Sequence, residues 1–334
     1  MSVIPKVFQE LIAQAKEFDP IRLAVVDAAQ AVVIETLKDA FALGLVEPIL
    51  IGSPAPISSG CSDVGWNVPD EWIVPSENDA ASAATAVNLV REGRADAIMK
   101  GQIHTDTLMH ALLDKQTGLR MPGRRVSHVF VTETSQYPKL LGITDAAINI
   151  APDLNAKAQI IQNSVQLFKA LGVELPKVAV LSAVETVNPE IVSTIDAACL
   201  TLMAKRGQIE GAIVDGPLAF DNAISRKAAE EKGISSSVAG DADILLVPDL
   251  VSGNILAKNL AYLTGATAAG IALGLSVPVI LTSRSDPAEA RLSSLAIAAM
   301  LHHRMPKETA KRLTTDAALH CAPQPEHACC PLVN

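Results

Sequence analysis

The sequence predicts an α/β protein built on parallel strands, and three observations predict it. Hydrophobic residues make up 49% of the 334 positions but aromatic residues only 3%. The core is therefore aliphatic, as in buried parallel strands covered by Ala-rich helices. Short β-branched runs recur along the chain, each bounded by turn residues. Helical patterns lie between them, giving the β-α-β-α rhythm of right-handed crossovers. A chain of this length is expected to form two domains of ordinary size.

The elements follow in order. Residues 3–16 read as an amphipathic helix and 21–27 (I-R-L-A-V-V-D) as the first strand. A helix over 31–43 ends at Gly44, a C-terminal cap. Residues 47–52 form a second strand, and 53–69, rich in Pro, Ser and Gly, read as a loop. An Ala-rich helix over 79–92 leads to a strand beginning at 96–99. The segment Lys100-Gly101-Gln102-Ile103-His104-Thr105 follows. Gly101 lets backbone approach a ligand closely, Thr105 caps a helix over 106–113, and Lys100 offers a point charge to phosphate. The plainer alternative is an ordinary cap and a surface lysine. His104 is either an acid–base group or a structural histidine. Residues 118–125 form a basic loop with Arg120, Arg124 and Arg125, read either as an anion contact or as a solvated loop.

The second half continues the pattern. Strands are expected at 126–132, 142–150, 177–182, 212–216 and 243–247. Helices are expected at 155–171, 190–206 and from Asp221 to Lys232. A long Ala-rich helix is expected over 253–273. Asp215, Asp221 and Asp249 read as caps and turn residues. Cys199, mid-helix in an apolar context, reads as core. The stretch V-P-V-I-L-T-S-R-S-D-P-A-E-A-R then places Thr282, Ser283 and Arg284 at the carboxyl end of a buried strand, where open α/β sheets bind ligands. Asp286 reads as an N-cap and Pro287 as a first helical residue. This combination suits an anion such as phosphate; the alternative is that Arg284 pairs with a carboxylate. Two closing helices are expected, over 287–302 and 306–319.

Charge and cysteine content restrict the function. The net charge of −9 argues against non-specific nucleic-acid binding, so an anionic substrate must meet a local positive pocket. The first fourteen residues lack a signal-peptide pattern, and the apolar stretch 261–281 is interrupted by Thr, Gly, Ser and Pro, unlike a membrane span. Five cysteines, Cys61, Cys199, Cys321, Cys329 and Cys330, make no disulfide framework, so a reducing cytoplasm is expected. Cys321, His327, Cys329 and Cys330 in the tail lack the paired spacing of a zinc site, and no metal is expected. Phosphate-loop, zinc-protease, dinucleotide-binding and nucleophile-elbow motifs are absent from the sequence.

Several segments, taken in order, carry a resemblance. They are Met99-Lys100-Gly101 with Thr105, T-D-A-A-I-N-I-A-P-D from Thr144, V-A-V-L-S from Val178, and V-D-G-P-L-A-F-D-N-A from Val214. Ala239-Gly240-Asp241-Ala242-Asp243, Val247-Pro248-Asp249, Gly253-Asn254-Ile255 with Lys258, and Leu281-Thr282-Ser283-Arg284 complete the set. The set resembles the phosphate acetyltransferase/phosphate butyryltransferase family over about residues 21–302, and its wording is closer to the butyryltransferase-type branch. The resemblance implies reversible conversion of acyl-CoA and inorganic phosphate into acyl phosphate and CoA, with no metal or prosthetic group, in a homodimer. It also implies two doubly wound α/β domains flanking a cleft, an isocitrate/isopropylmalate dehydrogenase-like fold. By that analogy one domain comprises residues 1–133 plus 273–334 and the other 134–272.

Physical chemistry then assigns roles. Phosphate must be held against a thioester carbonyl whose oxygen gathers charge. Arg284 suits two phosphate oxygens at once and Ser283 can donate to the oxyanion, both consistent with the family's Ser-Arg pair. Acetyltransferase members carry an aspartate seven residues after the serine to deprotonate the CoA thiol; that position here is Ala290. Glu289 and Asp286 are the possible bases, with Asp286 favoured as a cap. Lys100, Gly101, Thr105, Arg125 and Asn254 are candidate phosphate or CoA contacts. Two other functions compete: a metal-dependent NAD dehydrogenase on the same fold, and a non-catalytic acyl-CoA-binding or regulatory protein, for which the missing aspartate speaks.

Overall fold

The computed structural model of the protein describes residues 6–282 and 286–305. The expected alternation holds through the first hundred residues. Helix α1 (Lys6–Ala15) buries Phe8, Leu11, Ile12 and Ala15 at helical spacing. It is followed by β1 (Ile21–Val26), α2 (Ala31–Ala42), β2 (Val46–Gly52), α3 (Pro54–Asp63), β3 (Ile73–Pro75), α4 (Asp79–Arg91), β4 (Ala97–Lys100) and α5 (Thr105–Leu113). Gly44 takes a φ of 74° just past α2, the left-handed conformation expected of it. The segment expected as a loop over 53–69 contains α3. Its Pro54 occupies the first turn, where a missing N–H costs nothing, and Ile57 and Cys61, one turn apart, are buried.

The rest of the chain supplies β5 (Ser127–Glu133), β6 (Leu141–Thr144), α6 (Leu154–Ala170), β7 (Lys177–Leu181), α7 (Val192–Lys205) and β8 (Ile213–Leu218). Two short helices follow, α8 (Phe220–Ile224) and α9 (Arg226–Glu231), in place of the one expected from Asp221 to Lys232. The chain continues with β9 (Ile244–Leu246), α10 (Leu250–Leu263), β10 (Thr267–Leu273), β11 (Val279–Ile280) and α11 (Ala288–Arg304). Cys199 is half-buried on α7 rather than in the core. The helix expected over 253–273 divides at Gly265, whose φ is 67°, and its second half is strand β10. Pairing with β5 on one side and β11 on the other outweighs the helix preference of its alanines. Of the two closing helices, the second lies outside the described residues.

The strands form one sheet in the order β3-β2-β1-β4-β11-β10-β5-β6-β9-β7-β8. It is mixed rather than wholly parallel. One parallel set, β3-β2-β1-β4-β11, and another, β6-β9-β7-β8, are joined through the antiparallel pairs β11–β10, β10–β5 and β5–β6. The two sets therefore run in opposite directions. Their register brings two strand ends to one level. Ile280, ending β11, aligns with Ile271, and Ile271 aligns with Val129. Thr144, ending β6, aligns with the same Val129. Helix α11 packs inside: every residue from Ala290 to Leu301 is buried, and the Ser294 hydroxyl accepts from the Gly270 amide at 3.1 Å, tying the helix to β10. No described helix is long and apolar enough to cross a membrane.

Candidate active site

The level where β11 and β6 end carries a cleft of about 700 Å³. Lys100, ending β4, lies beside it because Met99 is paired with Ile280. Its polar wall is Lys100, His104, Thr105, Asn254, Lys258 and Thr282. Apolar side chains from α10, together with Leu281 just past β11, close the rest, with His128 and Phe130 of β5 between.

Each predicted contact has a definite place. Lys100 is no surface lysine: it is 6% exposed, and its Nζ lies 3.4 Å from the Gly101 carbonyl. Its charge partly offsets the burial that pushes the Asp27 carboxyl upward, an effect that nearby Asp79 reinforces. Gly101 is required by a chain crossing, since a Cβ there would sit on the Asp27 and Val26 carbonyls. It is not among the described lining residues. His104, exposed, is the N-cap of α5 and makes no side-chain cap bond; Thr105, expected as that cap, is the first helical residue. The opening amides of α5 are thus not covered by a cap side chain, an arrangement suited to an anion. Asn254 donates to the Ala146 carbonyl at 3.3 Å, which fixes it against the turn after β6. Asp249 caps α10 as expected, accepting from the Ser252 amide at 2.8 Å.

Arg125 is not brought to this cleft. It lines a neighbouring hollow of about 680 Å³ together with Lys115, Arg120 and Arg124. The two spaces are linked by one buried turn. Arg125 donates to Asn149 Oδ1 at 3.0 Å, and Asn149 Nδ2 donates to Asp145 at 2.5 Å. Asp145 also accepts from the Ala147 and Ile148 amides, each at 2.9 Å, and from the His128 amide at 3.2 Å.

Ser283 and Arg284 lie outside the described residues. The chain on either side of them is described: Thr282 is 6% exposed and lines the cleft, and α11 begins at Ala288 with Pro287 as its N-cap. Asp286 is therefore not the N-cap; its main-chain carbonyl accepts from Arg291 Nη1 at 2.5 Å. Asp286 and Glu289 are half-buried and are not among the described residues lining the cleft. Ala290, where the acetyltransferase aspartate was expected, is 1% exposed, so a carboxylate there would face a packed core. The tail with Cys321, His327, Cys329 and Cys330 is also outside the described residues, and among those described no cluster of metal-ligating side chains occurs.

Sequence reasoning missed His128 and Phe130. His128 is 0% exposed, and neither ring nitrogen makes a full hydrogen bond. Burial pushes its imidazole down to about 4, against smaller upward pulls from Asp145 and the Leu281 carbonyl; that carbonyl is near the ring but falls short of hydrogen-bond geometry. The ring meets Phe130 edge-on, with centroids 4.5 Å apart and planes at 70°. The available signal was alternation in S-H-V-F-V-T, which sets His128 and Phe130 on one face of the strand.

Comparison with known proteins gives the family of the chain. The family model described as phosphate acetyl/butaryl transferase matches residues 73–299, from β3 into α11. A phosphate acetyltransferase of Rhizobium meliloti is 49% identical over 89% of this chain and 93% of its own length. A phosphate butyryltransferase of Clostridium acetobutylicum is 44% identical over 89% of this chain and 98% of its own. The crystal structure of a branched-chain phosphotransacylase from Enterococcus faecalis superposes with a TM-score of 0.72 at 34% identity, covering 85% of this chain and 99% of that one. A match over most of the chain at this identity is decisive: the protein belongs to the phosphate acetyl/butaryl transferase family.

Proposed function

We propose that the protein is a phosphate acyltransferase, moving a short acyl group, acetyl to butyryl, reversibly between CoA and inorganic phosphate. The observation that carries this reading is near full-length identity of 44–49% to a phosphate acetyltransferase and a phosphate butyryltransferase. The cleft supports it, since its size suits a ligand site and it combines a buried lysine with an uncapped helix start. In the proposed reaction phosphate attacks the thioester carbonyl directly within a ternary complex. A C–O bond forms, the C–S bond breaks, and the CoA thiolate departs and takes a proton. Arg284 holds the phosphate through its fork and Ser283 donates to the carbonyl oxygen as charge gathers there. Lys100, Gly101, Thr105 and Asn254 serve the phosphate and the near part of CoA; Arg125, in the basic hollow next to the cleft, serves a more distant anionic part. The thiol base falls to Glu289 or Asp286, and no cofactor is required.

The finer architecture belongs to the same reading. Strand order supports two α/β domains about a cleft, as in isocitrate and isopropylmalate dehydrogenases. The β3-to-β5 half draws on residues before 134 and after 266, and the β6-to-β8 half on residues between. The proposed division is residues 1–133 plus 273–334 and residues 134–272, with β10 at the return. A homodimer is supported by Val192, Ile195 and Leu202, which expose one apolar stripe along α7. A cytoplasmic location accords with the nature of the substrates.

The test is phosphate-dependent thiol release from acetyl-, propionyl- and butyryl-CoA. We expect release that requires phosphate and falls by about 10²-fold or more in Arg284→Ala. A folded protein that binds CoA and releases no thiol from any of the three would instead be a binding protein.

A further inference from the structure

The cleft divides into a polar side, which suits phosphate and CoA, and an apolar side with no role in that chemistry. The apolar side has one aromatic side chain among its described residues besides His128: Phe130. Its ring is half-buried. Its backbone pairs with Gly270 on one strand and Ile143 on the other, and the His128 ring supports it edge-on. The absence of a side chain at Gly270 leaves a space that three groups share. A Cβ there would lie 2.8 Å from the Leu281 carbonyl oxygen, 3.1 Å from His128 Nε2 and 3.2 Å from Phe130 Cε1. The edge of the Phe130 ring is therefore near the Leu281 carbonyl, and Leu281 leads into Thr282, which lines the same cleft. An acyl group bound in this cleft meets the ring on its apolar side.

We propose that Phe130 is the specificity-determining residue for acyl-chain length: its ring, fixed by His128 and by the gap at Gly270, is the wall against which the end of the acyl chain stops. This rests on the acyltransferase reading above and names the part of the substrate that the apolar side receives. A rigid wall discriminates by excluding added methylenes, and removing it opens space for them.

The experiment measures kcat/KM for acetyl-, butyryl- and hexanoyl-CoA with saturating phosphate, in the intact protein, Phe130→Ala and Phe130→Leu. In Phe130→Ala the preference moves to longer chains by two carbons. The ratio of each longer substrate to the next shorter one rises roughly 15-fold, the worth of two methylenes at about 0.8 kcal/mol each. The phosphate KM stays within about twofold, which a general loosening of the cleft would not allow. Phe130→Leu keeps the sheet face covered should the alanine variant fail to fold, and moves the preference the same way by less. An equal fall for all three substrates, or an unmoved order of preference in a folded variant, overturns the proposal. Failure of the intact protein to release thiol would count against the transferase reading alone. The same series read as acyl-CoA binding by calorimetry then decides the role of Phe130.

Discussion

Acidification should destabilise this protein through His128 in a calculable way. The ring is 0% exposed, has no full hydrogen-bond partner, and titrates at about 4 instead of 6.5. The charge facing it is Asp145, whose carboxylate favours the imidazolium but is outweighed by burial. Between those two values the unfolded chain binds a proton that the folded chain refuses. Stability is therefore intact above the unfolded value, falls as pH drops through 6.5, and levels off below about 4. Linkage gives a loss of about 2 kcal/mol between pH 7 and 5 and about 3 kcal/mol by pH 4. The assay is urea unfolding at pH 7, 6 and 5 in the intact protein and in His128→Leu. The variant removes both the titration and the unsatisfied nitrogens, so it should match or exceed the parent at pH 7. Its advantage should grow by about 2 kcal/mol on going to pH 5, while contributions common to both proteins cancel. Parallel loss of stability in the two proteins would refute the neutral, sequestered ring.

Two further substitutions test packing within the fold, one beside the cleft and one between α6 and α7. Gly270→Ala puts a methyl group 2.8 Å from the Leu281 carbonyl and 3.1 Å from His128 Nε2; it should cost about 1–3 kcal/mol, read as a lower Tm, and depress thiol release by disturbing the start of the segment that carries Ser283. Asp196→Ala removes the partner that Lys157 holds at 2.6 Å. With Lys157 only 5% exposed, urea unfolding should show a loss of about 3 kcal/mol, most of it recovered in the double variant Lys157→Met/Asp196→Leu.

What the sequence made legible follows from how local each signal is. The aliphatic runs of β1, β2, β4 and β7 were readable because a strand buried on both faces needs little beyond its own residues. Lys100 ends β4 as the run of aliphatic residues indicated, whereas Asn254, expected at a helix start, lies inside α10, which begins at Leu250. Strand β10 was not readable: Ala-rich and following a helix, it is a strand only because β5, far earlier in the chain, and β11, just after it, supply partners. Helix α3 was hidden by prolines tolerated in its first turn. Arg125 was placed correctly in a basic loop, but its position in the hollow rather than the cleft goes with its bond to Asn149, itself held by Asp145, contacts that no local pattern encodes. His128 and Phe130 were read as strand and nothing more, because their surroundings come from Gly270 on β10 and Leu281 just past β11.

The same reasoning explains why the site lies in the middle of the sheet. A wholly parallel sheet presents all its carboxyl ends along one edge, and a ligand is met by one row of loops. Here the strands at the centre reverse direction, so β11 and β6 approach from opposite sides and stop level with Val129. The segment entering Thr282 and the turn at Asp145–Asn149 then lie on either side of β10 and β5. The first leads in sequence to Ser283 and Arg284, and the second holds Asn254 and reaches Arg125. Between them β5 is left to present side chains, not loops, to the cleft. A strand face is the stiffest surface a protein can offer to a substrate, and that stiffness is the physical reason to expect chain-length discrimination at Phe130 rather than at a loop residue.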